Sequence, residues 1–112
     1  MVKIILTKKD NQNKELQVTG HANAGDYNHD LVCAAITGIV TGALNAFDLD
    51  YHQDVELIVQ ENNIQIIVKN LANRDLQTIF EFLIKQLKTI TSLLLKKELG
   101  QLKMVVTQNL NV

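Results

Sequence analysis

The chain has no proline and no tryptophan, and its 112 residues hold one cysteine, Cys33. With no proline there is no proline-rich linker to mark a domain boundary. A single cysteine excludes an internal disulfide and suits a reducing cytoplasm, where the chain is expected to work. It also argues against a thiol redox protein, because no second thiol is present to resolve a mixed disulfide. An excess of charge of one sign is missing too. The formal net charge is −1 and the pI is near 6.3, so the basic footprint of a nucleic-acid binder is absent and no direct nucleic-acid partner is expected. The longest uncharged run, Leu31 to Phe47, has 17 residues and is interrupted by Thr37, Thr41 and Asn45. That falls short of a comfortable membrane span, and no membrane partner is expected. The opening residues, Met1 to Lys9, carry an apolar run too short for a secretory leader and no small-residue cleavage site, so none is expected.

What is present is ordinary for a globule. Apolar residues make up 46% and charged residues 21%, which predicts one domain over residues 1–112 with room for one core. Val2 to Thr7 is apolar and β-branched and reads as a strand. Lys8 to Asn13 reads as a polar turn, and Glu15 to Thr19 as its alternating hairpin partner. A helix is expected from Asp30 to about Phe47. It has no charge inside, so it is expected to be nearly enclosed. Gly38 and Gly42 lie on one of its faces, where they would let it approach the sheet or a second subunit. Val55 to Val59 and Ile64 to Lys69 read as strands around the turn Glu61-Asn62-Asn63. A second helix is expected from Asn73 to about Glu98. Its apolar stripe is Leu76, Ile79, Phe80, Leu83, Leu87, Ile90 and Leu94, and Gly100 would end it. Phe82, Leu93 and Leu95 lie off that stripe and offer a candidate dimer contact. Leu102 to Leu110 reads as a last strand. The expected fold is α/β of the α+β type. It is a two-layer sandwich in which a mixed, mostly antiparallel sheet carries two helices on one face.

The stretch with chemistry in it is Gly20 to Ala35. His21 stands at the end of a strand, and Cys33 lies twelve positions later near the start of a helix. A thiolate is the reactive form of cysteine. The positive end of a helix and a nearby imidazolium both favour it, lowering the thiol pKa from about 8.5 to about 3.5–7.5. A thiol and an imidazole so delivered are the minimum parts of a nucleophilic site. Asp30 fits a helix N-cap, which would set Cys33 near the third helical position. The plainer reading is that Cys33 is a small buried apolar residue among Leu31, Val32, Ala34 and Ala35.

The run Gly20-His21-Ala22, followed by Asp30-Leu31-Val32-Cys33-Ala34-Ala35, resembles the signature of the ribosomal-processing cysteine protease family, Prp. That pattern is Gly-His-Ala, a short loop, then Gly-x-Asp-x-Val-Cys-Ala-Ala. The His-to-Cys spacing and the Asp three before the Cys match. Asn28 stands where the family usually has glycine, a mild departure because Asn tolerates a left-handed backbone. The matched motif covers about a seventh of the chain; elsewhere the likeness is one of layout. The resemblance implies that Cys33 is the nucleophile and His21 its base. It implies a substrate, the N-terminal extension of a bacterial large-subunit ribosomal protein (bL27), cut at a short apolar-aromatic motif. It also implies a homodimer.

On this reading Cys33 attacks the peptide carbonyl, His21 handles the proton, and backbone N–H groups at the helix start hold the oxyanion. Asp30 either orients His21 or only caps the helix. The loop Ala22 to His29 is expected to gate the site, with Gly25 as hinge and Tyr27 as the surface on which substrate packs. No cofactor is implied. A metal site built from His21, His29, His52 and Cys33 is the first rival. It lacks the paired ligand spacings such sites use, and His29 and His52 read as solvated loop residues. A non-enzymatic adaptor that binds a ribosomal or assembly partner is the second rival.

Overall fold

The computed structural model describes the backbone of residues 2–20, 27–95 and 102–109, and the side chains of residues 2–20 and 34–90. The first hairpin joins β1 (Val2–Lys9) to β2 (Gln12–Thr19). The turn is shorter than expected. Only Asp10 and Asn11 lie between the strands, both at positive φ, 50° and 66°. Two left-handed residues in a two-residue loop match the right-handed twist of the flanking strands, and Asp and Asn tolerate that conformation. The polar ends, Lys8, Lys9, Gln12 and Asn13, therefore stay in the ladder, with a register irregularity between Thr7 and Lys8.

A second hairpin pairs β3 (Val55–Gln60) with β4 (Asn63–Val68). Asn62 in its turn also has positive φ, 66°. The last strand, β5 (Leu102–Asn109), runs parallel to β1, with Val2 opposite Leu102. The sheet has five strands in the order β3-β4-β2-β1-β5, antiparallel except for the β1–β5 pair. It is the expected mixed, mostly antiparallel sheet.

Alternation sends Val2, Ile4 and Leu6 of β1, Leu16 and Val18 of β2, and Ile66 and Val68 of β4 to one buried face. Two helices cover it, α1 (Tyr27–Tyr51) and α2 (Arg74–Leu95). Ile36, Val40 and Phe47 of α1 join Leu76, Phe80, Leu83, Ile84 and Leu87 of α2 in the same cluster. The Phe47 and Phe80 rings meet at 5.8 Å between centroids, within the range of favourable aromatic pairs. Helix α2 begins as expected. Asn73 caps it by accepting from the Leu76 N–H at 3.1 Å, and its amide donates to Asp54 at 2.6 Å. Such a cap stabilises by about 1 kcal/mol. Gln77 then clamps the helix to β2: the Asn13 N–H donates to its Oε1 at 2.8 Å, and its Nε2 donates to the Asn13 carbonyl at 2.9 Å. Within α2 the stripe bends slightly from expectation, for Ile84 is buried while Ile79 is exposed.

Helix α1 differs more. It starts at Tyr27 rather than Asp30 and continues past Phe47 to Tyr51. Apolar periodicity begins only at Leu31, so the polar turn ahead of it left no mark in the sequence pattern, though polar residues cost a helix only tenths of a kcal/mol, about 0.7 at most. Nor is α1 nearly enclosed. Thr37, Gly38, Thr41, Gly42, Asn45 and Ala46 are exposed. Lack of charge is not burial, because small and hydroxyl-bearing residues lose little by facing water. A Cβ built on Gly38 or Gly42 would meet nothing within 4 Å, so neither glycine serves a close approach to the sheet.

Candidate active site

Strand β2 ends at Thr19, and Gly20 comes next with φ 72°. That left-handed residue suits glycine, which has no Cβ to clash there. The Gly20 N–H donates to the Asn62 carbonyl at 3.1 Å, so the tip of the β3–β4 hairpin holds the point at which the chain leaves the sheet. His21 is the next residue in sequence. His21 and Gly25 lie outside the described residues.

The nucleophile candidate and its acidic neighbour lie in α1. Asp30 is the fourth residue of the helix and Cys33 the seventh; their side chains are outside the described set. Asp30 is therefore not the N-cap, and Cys33 is in the second turn rather than at the third position. The shift matters twice over. The field of the helix end falls off within the first turn, so it supports a thiolate at Cys33 less than expected. The Cys33 amide is also taken up by the intrahelical ladder, whereas the first four amides, residues 27 to 30, have no intrahelical acceptor. Tyr27 and His29 are helical too, which shortens the loop between β2 and the helix and corrects the placing of His29 in a loop. His52 is exposed in the turn after α1, as expected.

Helical register sets position 33 on one stripe with Ile36, Thr37 and Val40, which are three, four and seven residues on. These three line a cavity of about 170 Å³ at the end of the sheet. Val2, Val18 and Ile64 complete an apolar floor, and Gly20, Gln60, Asn62 and Asn63 form its rim. Asn63 is fully engaged there. Its Oδ1 accepts from Gln17 Nε2 at 3.0 Å, and its Nδ2 donates to Gln65 at 3.0 Å and Gln60 at 3.4 Å. The hairpin tip is thus a braced wall. The sequence pattern did not anticipate its part in the site. The only signal was the Asn62-Asn63 pair at a turn, which speaks of backbone conformation and not of a binding wall.

A second depression lies between the two helices. Gly38, Gly42, Ile79 and Phe82 line it, and Phe82 is 64% exposed. Among the described residues, no group of three or more His, Cys, Asp or Glu side chains is placed to hold a metal ion. No helix among them is long and apolar enough to cross a membrane.

The comparisons with known proteins converge. The chain is 53% identical over 30 residues to the ribosomal processing cysteine protease Prp of Bacillus subtilis (strain 168), a match that takes in 27% of this chain and 27% of that protein. Its fold is similar to that of an essential ribosomal processing protease Prp from S. aureus in complex with a covalently linked product peptide. The TM-score is 0.80 at 21% identity, over 96% of this chain and 100% of that one. The same S. aureus protease in complex with a substrate peptide gives a TM-score of 0.76 at 20% identity, over 99% of this chain and 100% of that one. The family model for the cysteine protease Prp matches residues 1–97. The chain belongs to the Prp family of cysteine proteases.

Proposed function

We propose that this chain is a cysteine endopeptidase that removes the N-terminal extension of a bacterial large-subunit ribosomal protein, bL27, in the cytoplasm. Cys33 Sγ attacks the scissile carbonyl. His21 takes the thiol proton and returns it to the leaving amine, and water then releases the acyl group with His21 again as base. Free amides of the first turn of α1 are the oxyanion donors this helix offers. With the helix end a turn away, the imidazolium of His21 is the main support for the thiolate. Asp30 is one turn before Cys33 on the same stripe and does not cap the helix, so its carboxylate is assigned to orienting His21. Alone beside the thiol it would oppose ionisation; paired with His21 it favours the ion pair.

The observation that carries this reading is the convergence of the two arms on one cavity. Gly20, which leads into His21, and Ile36 and Thr37, one turn beyond Cys33, line it together. Family membership and the S. aureus complex with a covalently linked product peptide support the same chemistry. The exposed groove with Gly38, Gly42 and Phe82 supports a homodimer. The test is the intact mass of the ribosomal protein after incubation with wild type and with Cys33→Ser. Wild type should shorten it at one bond near its N-terminus, and the variant should leave it whole. Equal cleavage by both would sink the thiol mechanism, and cleavage by neither would favour the adaptor.

A further inference from the structure

We propose that Asn63 is a positioning residue for the catalytic base: it fixes the end of β2, and through it the point from which His21 enters the site. This rests on the protease reading above. His21 follows Gly20 directly in the chain, so its backbone begins wherever Gly20 is held. The Gly20 N–H donates to the Asn62 carbonyl at 3.1 Å, one step past the last ladder pair, Thr19 opposite Asn63. Both partners of that bond are left-handed, with φ 72° and 66°, so it joins two turning points. A backbone bond at the end of a ladder opens readily unless its two sides are fixed by something else. The acceptor side stands on the tip of a hairpin whose outer strand, β3, is an edge of the five-stranded sheet. The sheet therefore supports the tip from the β2 side alone. Asn63 supplies the missing support. It alternates out of phase with buried Ile66 and Val68, so its side chain stands on the face away from the helices. There it accepts from Gln17 of β2 at 3.0 Å and donates to Gln65 of its own strand at 3.0 Å and to Gln60 of β3 at 3.4 Å. One amide joins three strands in the row next to Gly20. Gln65 carries the chain on to the Glu15 carboxylate at 2.9 Å, so β2 is gripped at two points ahead of the arm that bears His21. An amide suits this hub because it holds an acceptor and two donors in one group. Loss of the hub lets the tip and the strand end shift together, and a misplacement of about 1 Å can cost about 10²-fold in rate.

The test uses the single cysteine. Alkylation by iodoacetamide, read as intact mass across a pH series, reports on Cys33 alone and needs no substrate. Asn63→Ala should raise the pH at which Cys33 alkylates, toward the ordinary cysteine value near about 8.5, because the imidazolium beside the thiol is no longer firmly placed. It should also lower kcat by up to about 10²-fold with KM little changed. Gln17→Ala, which removes one of the three bonds, should move both readouts the same way and less far. Asn63→Asp keeps the acceptor for Gln17 and loses both donors, so it should fall between Asn63→Ala and wild type. Melting curves show which variants are folded. If Asn63→Ala is folded and alkylates with the wild-type pH profile, the assignment is wrong, even where its melting temperature has dropped. It is equally wrong if the wild type already alkylates as an ordinary cysteine. Should Asn63→Ala not fold, Gln17→Ala decides by the same profile. Turnover is scored separately. A profile that shifts as expected in a protein that cleaves nothing would leave the positioning role standing and overturn the protease reading.

Discussion

At the scale of single residues, the site proposed here would depend on an ion pair between Cys33 and His21 more than on the helix end. Cys33 is the seventh residue of α1, where the helix field is already weak. His21→Ala should then cost about the 10²–10⁴-fold in turnover typical of a general acid–base group. It should also move thiol alkylation toward the pH dependence of ordinary cysteine, titrating near about 8.5. The sign is fixed by the charges: an imidazolium lowers the thiol pKa, so its loss raises it, and alkylation at low pH disappears. An unchanged alkylation profile would make His21 a strand-end residue only. For Asp30 the corrected helix start sharpens the outcome. As a non-capping residue it can lose its charge with little effect on stability, so Asp30→Asn should leave the melting temperature within a few degrees while turnover collapses. Parallel melting and rate measurements check this; a large loss of stability with full activity per folded molecule would return Asp30 to a structural role.

At the scale of elements, we propose that the segment between β2 and α1 gates the site. The loop was expected to span Ala22 to His29, but Tyr27 already belongs to the helix. A gate hinged at Gly25 would then end at the first turn of α1. Substrate packing on Tyr27 would then add to the first turn of the helix and not to a free loop. Gly25→Pro should reduce turnover more than thermal stability. Hydrogen exchange over residues 22–26 should slow when a non-cleavable peptide binds Cys33→Ala; amides equally protected with and without peptide would make the segment a fixed wall. The strand end before this segment is anchored. The Gly20–Asn62 hydrogen bond of 3.1 Å and the left-handed φ of both residues tie the strand end to the hairpin tip, so any gating motion has to begin beyond Gly20.

At the scale of the whole molecule the exposed stripe of α1 asks for an explanation. Gly38 and Gly42 weaken an isolated helix by about 0.5–1 kcal/mol each relative to alanine, and nothing within 4 Å of either would resist a Cβ. Within one chain they bring no packing gain. In a homodimer they would, by letting a second subunit settle into the groove beside Phe82. Replacing both by alanine should therefore stabilise the single chain by about 1–2 kcal/mol yet shift the dimer toward monomer. Sedimentation equilibrium over a range of concentrations, read beside thermal melting, shows which holds. A gain in melting with an unchanged dimerisation constant would place the subunit contact elsewhere.

How much of this was legible in the residues differs from element to element. The strands and α2 could be read because alternation and a three-to-four spacing are local patterns created by burying one face. Val2, Ile4 and Leu6 point to the core wherever the sheet is placed, and Leu76, Phe80, Leu83 and Leu87 must share a face of any helix. The Gly-His-Ala and Val-Cys-Ala-Ala residues pointed to the family by resemblance, which the family match bears out; the roles of Cys33 and His21 are the proposal made above. The start of α1 was not legible, because Tyr27 to Asp30 are polar enough to be either loop or helix, and the apolar run beginning at Leu31 made the choice for them. The exposure of α1 was not legible either, because alanine, threonine and glycine are indifferent to burial. The parallel pairing of β5 with β1, and the meeting of Gly20, Asn62 and Ile64 around one cavity with Ile36 and Val40, join positions up to about a hundred residues apart. No local pattern encodes such neighbours. They are set when the sheet order closes and two helices compete for its one apolar face.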